Sequence, residues 1–199
     1  MVSQQSSPLR GRILAVCVVI LVLFFLGSAR PSLNLNGSPA AMSDPVVSAL
    51  KVSVRQSSSS PSTLVLGVTN THSSPVTLLR WDSPLDPSAL KLGVLAFTPE
   101  GSDSSVEIPT IQIRRLMPPG DDQFVTIEPG HTEEREISLD NPIFPTDKLQ
   151  GKGKVVCKGH WRSVWGSKKE DVSSEELKSP GTGQALTGAF ESEPADFQI

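Results

Sequence analysis

Residues 64–68 (Leu, Val, Leu, Gly, Val) and 76–81 (Val, Thr, Leu, Leu, Arg, Trp) are two short apolar runs, and residues 69–75 between them are rich in turn formers. A run this short, bounded by turn signals and rich in β-branched residues, is written for a strand rather than a helix. The two runs predict an antiparallel pair. Apolar side chains on both faces make its members central strands rather than edges.

The remainder of the chain continues in the same hand. Leu50, Val52 and Val54 alternate with Lys51, Ser53 and Arg55, the period of two that marks a half-buried strand. Residues 56–62 form a serine-rich turn, and Pro84 and Pro87 break the chain after Trp81 because proline cannot donate to a ladder. Further strands are expected over 90–97, in short edge-like pieces around Val106, Ile108, Ile111 and Ile113, and over 124–127, 133–139, 154–165 and 195–199. Turns at 99–104, 118–122 and 128–131 separate them. On the strand at 154–165, Val155, Cys157, Trp161 and Trp165 share one parity, and Lys158, His160 and Arg162 share the other. This spacing predicts an all-β fold, an immunoglobulin-like β-sandwich of about 7–9 strands over residues 46–199. Residues 167–187, charged and rich in Gly and Ser, read as a mobile loop between the last strands.

Ahead of this domain the writing changes. Residues 1–12 are a basic tail, and residues 13–29 carry an unbroken apolar run flanked by Arg10, Arg12 and Arg30. Read as an N-terminal hydrophobic helix, it makes a signal anchor, with a single-pass membrane protein whose C-terminal domain is lumenal or extracellular. Two alternatives compete. Gly27, Ser28 and Ala29 are small enough for signal-peptide cleavage near Ala29, which would secrete the domain. Translation from Met42 would leave it cytoplasmic, a compartment that suits the unpaired Cys157. The anchor is the favoured reading, with residues 30–45 as a linker.

The order of several features resembles the propeptide β-domain of fungal deuterolysin-type metalloproteases. The features are Val68, Thr69, Asn70 and Thr71, the Leu78–Leu79 pair, Asp86, the run 92–96, Ile113 with Arg114 and Arg115, and the run 124–130. The resemblance covers about half of the chain and implies the fold, a fungal source and a peptidase as partner. It does not bring the peptidase itself. A zinc peptidase of this kind needs His-Glu-x-x-His on a helix, whereas His72, His131 and His160 stand alone.

Candidate chemistry is sparse. Cys157 and His160 lie three apart, so on a strand their side chains diverge, and the thiol belongs to an apolar face. The acidic residues Glu133, Glu134 and Glu136 alternate sides and read as charge protecting an edge strand. A net charge of −3 gives no electrostatic basis for nucleic-acid binding. No catalytic residue, metal site or cofactor is expected. The interaction surface expected from the charge pattern comprises Arg114, Arg115, His160 and Arg162. The chain reads as a non-catalytic protein-binding module, a stand-alone propeptide-like chaperone or inhibitor of a peptidase. The alternative is an accessory protein or enzyme of a biosynthetic pathway that holds a small apolar ligand inside the sandwich.

Overall fold

In the computed structural model, residues 44–199 are described, so the tail, hydrophobic helix and most of the linker expected at the N-terminus lie outside the described residues. Nine strands are present among them. A one-turn helix α1 (Pro45–Ser48) comes first, with Asp44 accepting the Val46 N–H at 2.9 Å as its cap. Strands β1 (Leu50–Ser59), β2 (Ser62–Asn70) and β6 (Thr132–Ser138) form one antiparallel sheet in the order β1-β2-β6.

The second sheet is built on β7 (Lys152–Trp165), the longest strand, with β3 (Val76–Leu79), β4 (Leu95–Pro99) and β5 (Phe124–Ile127) in the order β4-β7-β3-β5. The last two strands, β8 (Leu186–Glu191) and β9 (Ala195–Gln198), also pair with β7. Register settles which edge each occupies. Residues 153–155 pair with both β4 and β9, and Val164 pairs with both Leu78 of β3 and Leu186 of β8. Consecutive strand residues point their N–H and C=O to opposite edges. Lys158 N–H donates to Val94 C=O, while Cys157 C=O accepts from Ser192 N–H. Thus β3 and β4 share one edge of β7, and β8 and β9 share the other.

Between the sheets lies the main core, in which Leu64, Leu66 and Val68 of β2 face Leu78, Phe97, Val155, Trp161 and Val164 from the second sheet. Phe97 packs edge-on against Phe144 and Phe197 at 5.0 and 5.3 Å between ring centres.

Four expectations change on contact with this arrangement. The runs 64–68 and 76–81 are indeed interior strands, yet they do not pair: β2 lies between β1 and β6, and β3 between β5 and β7. Residues 71–75 therefore cross from one sheet to the other instead of closing a hairpin. The expected strand over 90–97 is divided, because residues Ala89–Leu92 form a 3-10 turn that ends at Gly93 with φ of 75°. Only from Leu95 does the chain extend. Ile108, Ile111 and Ile113 lie in no strand, and the one sheet contact of their segment is a bridge from Val106 to Phe97.

The fourth change is the stretch read as a mobile loop. Residues 167–187 hold a 3-10 turn at Lys169–Asp171 and a helix α2 (Ser174–Lys178). Ser173 caps α2, and the Glu176 carboxyl is held below its usual range by the Gln184 N–H and by the Ser173 hydroxyl. The segment covers a second apolar cluster, in which Leu79, Trp81, Phe124 and Trp165 take Val172, with Leu177 and Ala185 packed against them. Leu79, Phe124 and Trp165 carry apolar surface on the outer side of the sheet, and burying it against this stretch offsets the entropy of ordering the chain.

Candidate functional site

Trp161 and Trp165, expected on one face, lie in different clusters. The pairing of β7 with β8 slips between Trp161 and Val164, a bulge that inserts one residue and reverses the parity of all that follows. Trp161 therefore points into the main core against Phe190, with ring centres 4.5 Å apart, and Trp165 points outward against Phe124. Cys157 lies in the core with Trp161, as its parity predicts.

Burial pushes the Cys157 thiol up to about 12 from 9.0. Such a thiol stays protonated at neutral pH and is neither nucleophile nor ligand. Iodoacetamide is accordingly expected to leave Cys157 unmodified in the folded protein at pH 8 and to modify it fully in urea, as mass spectrometry would show. Because the folded value lies above the unfolded one, the associated stability is complete below pH 9 and is lost as pH rises towards 12. His160 is exposed on the opposite face of the strand. No group of three or more His, Cys, Asp or Glu that could hold a metal ion occurs among the described residues.

Of the four residues expected to form an interaction surface, two meet at a carboxylate that was not singled out. Arg115 lies 3.4 Å from Asp82, and Arg162 pairs with the other oxygen of the same carboxylate. Arg115 also pairs with Asp86, which is wholly buried, and its guanidinium sits 5.6 Å from the centre of the Trp81 ring. Arg115 is thus a member of a fold-holding network and is only 17% exposed. It is therefore not a free surface cation. Asp86 completes the network by accepting the N–H groups of Asp82 and Ser88, each at 2.8 Å. Asp82 adopts φ of 60°, a left-handed conformation that aspartate tolerates better than bulky residues do.

Arg114 and His160 remain exposed and outside this network. His160 and Arg162 line a surface trough of about 630 Å³ together with Lys158, Val94 and residues 111–113. Residues 111–117 matter most here, and of them only Ile111 and Ile113 figure in the edge-like pieces expected from the sequence. The large hydrophobic side chains that stand exposed among the described residues are Ile111, Leu116 and Met117, at 44%, 85% and 58%. The signal that could have found them is the flanking of Leu116 and Met117 by Arg114, Arg115, Pro118 and Pro119, which leaves the pair no regular ladder to join.

Residues 49–199 match a family model described as an immunoglobulin-like domain. A protein of Arthroderma benhamiae described as an uncharacterized secreted protein is 32% identical over 133 residues, which is 66% of this chain and 64% of that protein. The chain therefore aligns with less than two thirds of this relative's length. Neither description names a peptidase or a propeptide. Two antiparallel sheets enclosing one core and a family match over three quarters of the sequence agree, and the chain belongs to the immunoglobulin-like domain family.

Proposed function

We propose that this chain is a secreted, non-catalytic binding module that engages another protein through residues 111–117. The observation that carries this reading is that Ile111, Leu116 and Met117, the large hydrophobic side chains exposed among the described residues, all lie in one short segment. Large apolar side chains exposed close together along a chain are unfavourable in water and are candidates for contact surfaces. The segment is held rather than loose, because Arg115 is tied to Asp82 and Asp86 and Ile111 N–H donates to Lys91 C=O at 2.9 Å. A preorganised loop loses little entropy on binding. Secretion is supported by the description of the Arthroderma benhamiae relative.

The sharper form of the proposal follows from the ordered propeptide-like features: the domain acts in trans on a deuterolysin-type zinc peptidase, as inhibitor or folding aid. The test adds the full chain, and its Leu116→Asp/Met117→Asp variant, to such a peptidase during assay and during refolding. The wild-type chain is expected to slow peptide cleavage or raise refolding yield, and the variant to lose at least about tenfold of that effect. Absence of both effects with the wild-type chain removes the peptidase as partner.

A further inference from the structure

Strand β7 is incompletely paired. On the edge it shares with β3 and β4, β4 reaches only to Cys157 and β3 begins only at Val164. The chain leaves the sheet between them, over residues 80–94. Lys158 N–H still finds Val94 C=O at 2.8 Å. By the alternation of strand geometry, His160 directs its N–H and C=O to that same edge, where it has no backbone partner among the described residues. The opening is the trough lined on one side by residues 158–162 and on the other by the extended segment 111–113.

An unpaired strand edge is a template for another strand. The trough's charge selects among strands. Lys158, His160 and Arg162 line it, and its one acid, Asp82, is already paired with Arg115 and Arg162. Arg114, exposed, follows directly on the far wall. Glu191 stands opposite Lys158 across the β7–β8 pair, on the edge away from the trough. Ile111 and Ile113 supply an apolar wall.

We propose that the open edge of β7 at His160 takes an extended peptide, with alternating acidic and apolar residues, as an added strand between β4 and β3. The peptide would exchange main-chain hydrogen bonds with His160, set its carboxylates against Lys158, Arg162 and Arg114, and place apolar side chains on Ile111. This names the partner chemistry of the module proposed above and rests on that reading.

The probe is a fluorescein-labelled peptide alternating glutamate and valine, titrated with the full chain and followed by anisotropy. The comparison probes alternate lysine and valine, or carry N-methyl groups on alternate amides of the glutamate–valine peptide. Saturable binding is expected for the first probe. Affinity should fall at least about tenfold for each comparison probe and for the variants His160→Pro and Lys158→Glu. In the wild-type chain, the amide resonance of His160 should shift on adding peptide and become slow to exchange, which keeps the test valid if His160→Pro fails to fold. Equal binding of the N-methylated probe, or no saturable binding, overturns the proposal. So does protection of the His160 amide that grows with protein concentration alone, which would make a second copy of the chain the occupant. If the peptide fails while the peptidase effect still depends on Leu116 and Met117, only this inference falls. If both fail, the module reading falls with it.

Discussion

Replacing Asp86 by alanine is expected to destabilise the protein by about 3–5 kcal/mol, the range for removing one partner of a buried ion pair. The carboxylate is fully buried and accepts from three directions: the Asp82 N–H, the Ser88 N–H and the Arg115 guanidinium. Its loss leaves Arg115, itself only 17% exposed, facing Trp81 and an Asp82 that also serves Arg162. The left-handed turn at Asp82 loses the hydrogen bond that closes it. The measurement is a urea transition, in which the midpoint should fall while the slope stays unchanged. An exposed pair provides the contrast. Arg55 and Glu134 lie 3.0 Å apart with side chains 57% and 48% exposed, and Arg55→Ala should cost less than about 1 kcal/mol. If Asp86→Ala costs no more than Arg55→Ala, the network does not hold the loop.

That network shows what could and could not be seen in the sequence. Strand β5 is legible because Pro118, Pro119 and Gly120 precede it and Pro129 and Gly130 follow, leaving only Phe124 to Ile127 free to extend. The two faces of β7 up to Trp161 are legible because parity holds along an unbroken strand. Parity fails at the bulge, and a bulge is set by how β8 pairs, which is a contact between distant parts of the chain. For the same reason Arg115 and Arg162 could be singled out as charged, while their convergence on Asp82 could not. Asp82 lies 33 residues from the one and 80 from the other. The cover over Trp165 was hidden by composition, since a stretch of Gly, Ser and charge spends only Val172, Leu177 and Ala185 on its apolar contact. Partnership, unlike strand existence, is a long-range property that local patterns do not fix.

The crossing between β2 and β3 is where that limit is sharpest, and one side chain there is expected to carry much of the specification. Asn70 is wholly buried at the end of β2. Its amide donates to Ser74 C=O at 2.9 Å and Ile127 C=O at 2.8 Å, and its oxygen accepts the His72 N–H at 2.8 Å. Its own backbone joins the turn that links β5 to β6: Asn70 N–H donates to His131 C=O, and Asn70 C=O accepts from Gly130 N–H. One residue thus ties the first sheet, the crossover and the second sheet together. Asn70→Ala removes three hydrogen bonds at once. Ser74 and His72 are half-buried and can turn to water, whereas Ile127 C=O lies in the core and keeps only its ladder partner across from Val76. The expected cost is about 2–4 kcal/mol, the sum of three hydrogen bonds at roughly 1 kcal/mol each. Asn70→Asp preserves the acceptor for His72 while setting a carboxylate against two carbonyl oxygens, and should cost at least as much at pH 7. Hydrogen exchange separates the local effect from the global one, with the His72 amide exchanging faster in Asn70→Ala than global unfolding allows. A cost below about 1 kcal/mol for Asn70→Ala would mean that strand pairing alone fixes the crossing, and that the turn at 71–75 merely follows it.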